Sequence, residues 1–251
     1  MADRIEPFVM EKSAQSSRST NFRVVEAYRQ IRTNLLFSLG DNPNRVVLIS
    51  SAEPSAGKST TCTNLAIVMA QNGSRVLLID ADMRKPMQHR HFRLKKTDGL
   101  SKMLSGIATE EESLHKQVMP NLDVLLSGSI PPNPSELLGG ERMKAFLQKA
   151  NSQYDFVIVD TPPLNVVTDA SVLAPITAGV MLIARYRQTT YDEIAEAKER
   201  LEQIHANFLG VVISDVATDR EGYYNHYGRY GRKYYYQNYN YRYGQNNDHE
   251  K

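Results

Sequence analysis

One short stretch, residues 51–60, limits what this chain can fold into more than any other. It reads SAEPSAGKST and lies between a β-branched run, residues 45–50, and a helix-like segment, residues 61–71. A tight loop between a strand and a helix can turn successive backbone N–H groups toward an anion, at a helix end whose dipole favours negative charge. The pattern therefore predicts a phosphate-binding loop with a nucleotide as its ligand.

The residues of this loop have separate predicted roles. Gly57 lets the backbone approach a phosphate closely, Lys58 reaches the β- and γ-phosphates, and the Ser59 hydroxyl coordinates Mg²⁺. Ala52 occupies the first glycine position of the G-x-x-x-x-G-K-[ST] pattern, so the match is incomplete. The alternative is a polar surface turn that happens to contain Gly-Lys-Ser. The predicted nucleotide-binding residues are Pro54, Ser55, Ala56, Gly57, Lys58, Ser59 and Thr60.

Two later apolar runs end in carboxylates. Residues 75–79 lead into Asp80-Ala81-Asp82, and residues 154–159 lead into Asp160. Such runs are typical of strands buried in a parallel sheet, whose carboxyl ends form the ligand-binding edge. Asp80 and Asp82 can point the same way, so one could hold Mg²⁺ and one could accept a proton. Asp160 is then the natural supporting aspartate for Mg²⁺, whereas the alternative is a strand ending in a solvated acidic turn.

Composition bounds the class of protein. Strand and helix patterns alternate along a chain of 251 residues, which predicts an α/β, doubly wound and mostly parallel sheet of about six or more strands. The net charge of +2 argues neither for nor against a polyanionic partner. Cys62 stands alone, so an intrachain disulfide framework is excluded and a buried helix residue is expected. No apolar run approaches the ~18 residues of a spanning helix, which predicts a cytoplasmic protein.

The chain is predicted to have three parts. Residues 1–20 are polar and Ser-rich and predict a flexible arm, residues 21–217 predict the phosphate-loop domain, and residues 218–251 form a tyrosine-rich tail. The domain begins with a helix on which Glu26, Arg29 and Arg32 recur every three residues, either as a solvated stripe or as a subunit contact.

His89 and His91 have no evident third ligand, so surface histidines are expected there rather than a metal site.

The tail, residues 218–251, contains no Ala, Val, Ile, Leu, Met or Phe and cannot build a core, so it should be disordered in isolation. Two functions remain open for it. Tyrosines and arginines could bind single-stranded nucleic acid or self-associate. Alternatively the tyrosines accept phosphate, each adding about −1.5 to −2 charges. They are Tyr223, Tyr224, Tyr227, Tyr230, Tyr234, Tyr235, Tyr236, Tyr239, Tyr241 and Tyr243.

Four features together resemble a known family. The phosphate loop, the IDADMR segment at residues 79–84, the VIVDTPP segment at residues 157–163 and the tyrosine-rich tail resemble the bacterial tyrosine kinases (BY-kinases) of capsular and exopolysaccharide synthesis. The likeness is to their stand-alone cytoplasmic form in Gram-positive bacteria and runs from about residue 21. In that family the first three segments are called Walker A, Walker A′ and Walker B.

The resemblance implies an ATP- and Mg²⁺-dependent protein-tyrosine kinase. Lys58 and Ser59 hold phosphate and Mg²⁺, Asp80 is the candidate base, and Asp82 and Asp160 support the metal. Lys58, Asp80 and Asp82 form the implied catalytic set, and the tail tyrosines are the implied acceptors.

Ser214 lies where many relatives have an asparagine after the last strand. The adenine contact therefore stays open between Ser214 and Asp215.

The resemblance also implies partners. Glu26, Arg29 and Arg32 match the family's E-x-x-R-x-x-R oligomer contact, which implies a homo-oligomeric ring whose subunits phosphorylate one another's tails and so regulate polysaccharide synthesis and export. A separate transmembrane activator, a polysaccharide co-polymerase, binds through its cytoplasmic segment and recruits the kinase to the inner face of the membrane. A cognate tyrosine phosphatase reverses the reaction.

Two rival functions remain. A partitioning or division-site ATPase shares the superfold, but its loop resembles Lys-Gly-Gly-x-Gly-Lys-[ST], with a lysine where this chain has Glu53. The tyrosine tail has no purpose in such a protein. A nucleic-acid-binding module would need a basic face outside the tail, and none is evident, so no nucleic-acid partner is expected.

Overall fold

The structure, a computed structural model, describes residues 18–95 and 98–216. The predicted tyrosine tail and most of the predicted N-terminal arm lie outside these ranges, so neither prediction is tested. The strands are β1 (Val46–Ser51), β2 (Val76–Asp80), β3 (Leu114–Met119), β4 (Leu122–Leu125), β5 (Phe156–Asp160), β6 (Gly179–Arg185) and β7 (Phe208–Ser214). The helices are α1 (Arg18–Leu39), α2 (Lys58–Gln71), α3 (Gln88–His91), α4 (Leu100–Ser105), α5 (Glu110–Ser113), α6 (Pro134–Gly139), α7 (Glu141–Gln153), α8 (Asp169–Leu173) and α9 (Tyr191–Gln203), with a short 3₁₀ helix at Ala174–Ile176.

The seven strands form one sheet in the order β3-β4-β2-β5-β1-β6-β7. All neighbours run parallel except β3 and β4. The predicted α/β class with a mostly parallel sheet is therefore confirmed. The phosphate loop follows β1. The Asp160 strand, β5, lies between β1 and the Asp80 strand, β2.

Side-chain alternation along the central strands fills two separate apolar cores. In β1, Val46 and Leu48 belong to one core, and Val47 and Ile49 to the other. Buried residues of α4, α6, α7, α8 and α9 complete the first core, and those of α1 and α2, with Phe92 just after α3, complete the second. The sheet is thus covered on both faces, which is why the sequences of its inner strands are continuous apolar runs rather than alternating ones.

Helix α1 covers part of the second core and begins at Arg18, slightly before its predicted start at Asn21. Leu35 and Leu39 are buried, whereas Leu36, included in the predicted apolar face, is 40% exposed. Although α1 has 22 residues, neither it nor any other helix in the described ranges combines the length and apolar character needed to cross a bilayer.

The antiparallel edge strand β3 was not predicted. Its sequence, LHKQVM, is at most half-buried and carries no regular alternation, and its register with β4 is interrupted between His115 and Met119. Gln117 within the interruption has a φ of +50°. An irregular edge strand needs neither a continuous apolar run nor a period of two, so the usual sequence signals are missing.

Candidate functional site

The loop between β1 and α2 has the backbone shape of a phosphate-binding loop. Ser55 and Gly57 lie in the left-handed region, with φ of +64° and +90°, and α2 begins directly at Lys58. No side chain in the described ranges caps the first turn of α2. Its leading N–H groups are therefore free of a side-chain acceptor, which is the arrangement that receives an anion at a helix N-terminus.

Ala52 replaces the motif's first glycine without strain. It is 1% exposed, packs in the first apolar core, and is not among the residues with positive φ. A methyl group therefore fits at this position, whereas Gly57 holds a conformation that side chains disfavour. The missing first glycine of the sequence motif therefore does not change the backbone of the loop.

The ends of the last two strands brace the loop. The Ser214 hydroxyl at the end of β7 donates to the Ala56 carbonyl at 2.6 Å. The Arg185 guanidinium at the end of β6 binds the Asp215 carboxylate at 2.8 and 3.0 Å and lies 3.5 Å from the Ser55 carbonyl. Ser214 thus contacts the loop directly, while its role toward adenine stays a prediction.

Asp80 and Asp160 end adjacent strands at the same height. They are register partners between β2 and β5, and both side chains are completely buried. Strand alternation places them on the α2 face, because Leu78 and Ile158, two residues earlier, pack in the second core. The sheet thereby brings two carboxylates to the helix that carries Lys58 and Ser59, as the sequence predicted.

The carboxylates of Asp80 and Asp160 each accept hydrogen bonds at one of their two oxygens. Asp80 Oδ2 accepts from the Gln88 backbone N–H at 3.0 Å, and Asp160 Oδ2 accepts from Gln88 Nε2 at 2.8 Å. Both Oδ1 atoms are buried without a hydrogen-bond partner among the residues described. Burial, and repulsion from Asp160, raise the pKa of Asp80 well above its usual range. Burial also raises the pKa of Asp160, although a hydrogen bond from Ser59 and the charge of Lys58 oppose this rise.

Asp82 lies beyond the end of β2 and is 6% exposed. Its Oδ1 accepts the Lys85 backbone N–H at 2.9 Å. Its charge contributes to the raised pKa values of both Asp80 and Asp160, so it lies near the pair. The strand does not extend to Asp82, and the predicted alternation with Asp80 therefore does not apply to it.

The residues present fit a Mg²⁺ ion that is shared with a phosphate chain. Within residues 18–95 and 98–216, no three His, Cys, Asp or Glu side chains are grouped as a metal centre. Mg²⁺ commonly uses one or two carboxylates, several waters and substrate phosphates instead. The Oδ1 atoms of Asp80 and Asp160, which lack a partner among the described residues, match that requirement, and the Ser59 hydroxyl and the Lys58 ammonium both act on Asp160.

Comparison with known proteins identifies the family. A family model described as an AAA domain matches residues 44–207, more than half of the chain. The tyrosine-protein kinase YwqD of Bacillus subtilis is 42% identical over 203 residues, which cover 81% of this chain and 86% of YwqD. The chain belongs to the bacterial tyrosine kinases. Another relative, the putative tyrosine-protein kinase EpsB of Ralstonia solanacearum, is 42% identical over 208 residues, but this chain spans only 28% of its length.

Solved structures of bacterial tyrosine kinases share this architecture. The chimerical protein CapA2B2 superposes with a TM-score of 0.73 at 38% identity, covering 82% of this chain and 88% of the chimera. The septum site-determining protein MinD from Pyrococcus horikoshii, complexed with Mg-ADP, gives a TM-score of 0.58 at 19% identity, covering 67% of this chain and 69% of MinD. The likeness to MinD shows the shared fold alone, so the rival ATPase function is not favoured.

The predicted subunit-contact residues of this bacterial tyrosine kinase all lie on α1. On α1, Arg29 and Glu26 pair with each other at 2.5 Å, and both are about half exposed. Arg32 is half-buried, and its Nε has no hydrogen-bond partner among the residues described. The oligomer contact remains a prediction. All ten predicted acceptor tyrosines lie outside the described residues.

Sequence reasoning missed two side chains that complete the site. Gln88 contacts both carboxylates, and Arg185 joins the end of β7 to the loop. The proximity of Gln88 to the Asp-x-Asp segment was the available signal, but nothing in its spacing predicts a buried amide. Cys62, in contrast, is fully buried in α2 as expected, and burial with the nearby Asp160 raises the pKa of its thiol.

Proposed function

We propose that this chain is an ATP-dependent protein-tyrosine kinase that phosphorylates the tyrosines of its own C-terminal segment, between subunits. One observation carries the proposal: Asp80 and Asp160 lie side by side on the α2 face, and Asp160 is next to Lys58 and Ser59. Among the described residues, nothing bonds the buried Oδ1 of either carboxylate. A second buried carboxylate beside the first can accept a proton, a role that nucleotide binding alone does not require.

In this mechanism the loop N–H groups and Lys58 orient the triphosphate, and Lys58 offsets charge on the transferred group. Ser59, Asp82 and Asp160 would hold Mg²⁺, which when bound supplies further positive charge at the phosphates. Asp80 accepts the proton of a tyrosine hydroxyl while that oxygen bonds to the γ-phosphorus and the bond to ADP breaks. Since a free phenol has a pKa near ~10, this proton moves late, and positioning matters more than basicity.

The partners follow from the family resemblance and belong to the same proposal. We expect a ring of subunits joined through Glu26, Arg29 and Arg32, activated by the cytoplasmic segment of a transmembrane polysaccharide co-polymerase and recruited by it to the membrane. Phosphorylated tails would repel one another and loosen the ring. A cognate tyrosine phosphatase would restore it, and the cycle would regulate capsular or exopolysaccharide synthesis and export.

The decisive experiment is incubation of the full chain with Mg²⁺, ATP and the activator's cytoplasmic segment, followed by mass spectrometry of residues 218–251. Wild-type protein should gain phosphate on the tail tyrosines. The variant Lys58→Met should incorporate at least about 100-fold less, because the ammonium that offsets transition-state charge is gone. Undiminished incorporation by Lys58→Met would refute the assigned site, and ADP release without phosphotyrosine would favour the ATPase class.

A further inference from the structure

Gln88 is a completely buried amide in the middle of the site. It is the first residue of α3, in the connection that follows β2. Burying a carboxamide costs free energy unless its donors and acceptor are all bonded. The identity of its partners therefore shows what this glutamine does.

The side chain of Gln88 joins α2 to β5. Its Nε2 donates to Asp160 Oδ2 at 2.8 Å and to the Ser59 backbone carbonyl at 3.1 Å. The Ser59 carbonyl can only accept, so the orientation of the amide is fixed. Its Oε1 lies 2.8 Å from the Thr63 hydroxyl on α2, which can donate to it.

The backbone of Gln88 holds the other carboxylate, since its N–H donates to Asp80 Oδ2 at 3.0 Å. One residue thus occupies one oxygen of each aspartate. The two remaining Oδ1 atoms are the ones that lack a hydrogen-bond partner among the described residues. Each carboxylate is therefore held at one oxygen and keeps the other for a cation or a proton.

We propose that Gln88 is a positioning residue that fixes the Asp160 carboxylate against the Ser59 end of α2 and Asp80 beside it, leaving one oxygen of each for Mg²⁺ and for the tyrosine proton. The inference rests on the proposed function and deepens it. An amide that only filled the core would stabilise the fold but would not affect the response of the site to Mg²⁺.

The test is the affinity for ADP with and without Mg²⁺, measured by isothermal titration calorimetry on the full chain. Gln88→Met keeps the length of the side chain and the backbone N–H but removes the amide. We expect Mg²⁺ to increase ADP affinity about 10-fold less in Gln88→Met than in wild type, as is typical when the group orienting a metal ligand is removed. Affinity without Mg²⁺ should stay within about threefold of wild type, because the loop N–H groups are unchanged.

Two further variants make the result interpretable. Gln153→Met carries the same chemical change at an exposed position at the end of α7 and should match wild type in both titrations. Gln88→Glu keeps the side-chain shape but places an oxygen where Nε2 donates to Asp160, so it should reproduce the loss if Gln88→Met does not fold.

The possible failures are distinguishable. A folded Gln88→Met with the wild-type Mg²⁺ response would overturn the inference and leave the proposed function standing. An equal loss of ADP affinity with and without Mg²⁺ would also overturn it, since that result indicates a damaged loop. If wild-type protein shows no Mg²⁺-dependent ADP binding, the proposed function fails and the inference fails with it.

Discussion

Two pairs of buried or half-buried aspartates serve opposite purposes in this protein. Asp169 and Asp123 have both oxygens bonded: Arg84 and Ser135 reach Asp169, and the Tyr154 hydroxyl and a backbone N–H reach Asp123. Asp80 and Asp160, in contrast, each have one oxygen that no group in the described part of the chain bonds.

The difference separates carboxylates that hold the fold together from carboxylates kept for a ligand. Hydrogen bonding to Asp169 raises the pKa of Arg84. The arginine therefore stays charged beside Asp169. Burial, and repulsion from Asp160, instead raise the pKa of Asp80. The fold therefore satisfies its structural carboxylates and leaves the other two in an unfavourable state that a bound cation would relieve. Substitutions in the two pairs should have opposite consequences.

The largest expected effect is on catalysis, at Asp80. Asp80→Asn should lower tail phosphorylation at least about 100-fold, because a positioned base typically contributes about 10²- to 10⁴-fold. The melting temperature without nucleotide should equal or exceed that of wild type, since the change removes a buried negative charge beside another. Phosphotyrosine incorporation and calorimetric unfolding measure the two quantities.

Two results with Asp80→Asn would contradict the distinction between structural carboxylates and carboxylates kept for a ligand: activity like that of wild type, or clearly lower stability. The first result would mean that Asp80 is not the base. The second would mean that its charge is structural, like that of Asp169.

The next effect should be on stability, at Asp169. Its carboxylate is fully buried and accepts two bonds from Arg84, both at 2.9 Å. Asp169→Asn should reduce the free energy of unfolding by about 2 kcal/mol, because a charge-assisted pair becomes a neutral contact. Chemical denaturation measures this change, and the affinity for ADP should be nearly retained.

Glu111→Gln is the matched control for Asp169→Asn. The exposed Glu111 lies 3.5 Å from Lys116, and such pairs contribute less than about 1 kcal/mol. Equal losses of unfolding free energy in Asp169→Asn and Glu111→Gln would show that the buried ion pair stabilises the fold no more than the exposed one.

Much of the site could be predicted because it depends on chain order. A loop after β1 and carboxylates at the ends of β2 and β5 meet at one edge of any parallel sheet in which these strands are adjacent. The apolar runs before Asp80 and Asp160 predict the two strands. Because side chains alternate along a strand with a period of two residues, both carboxylates lie on the face of α2.

The missed parts depend on contacts that chain order does not encode. Gln88 and Arg185 act through partners distant in sequence, Asp160 for the first and Asp215 for the second. A buried glutamine and an arginine at the end of a strand have no characteristic spacing. Strand β3 was missed because an irregular edge strand is stabilised by pairing with β4 rather than by its own apolar pattern.

The smallest effect should come from Tyr154, whose hydroxyl donates to Asp123 Oδ2 at 2.6 Å. Tyr154→Phe should cost about 1 kcal/mol at neutral pH, the usual contribution of one hydrogen bond, with tail phosphorylation unchanged. Burial, and the hydrogen bond to Asp123, raise the pKa of Tyr154 above its ordinary value of 10.0. The folded state therefore keeps the phenol proton that the unfolded chain releases, and this stabilisation is complete below about pH 10 and declines above it. Urea unfolding of both proteins at about pH 8 and about pH 10.5 should show the difference shrinking at the higher pH, and a constant difference would mean that the raised pKa is not linked to folding.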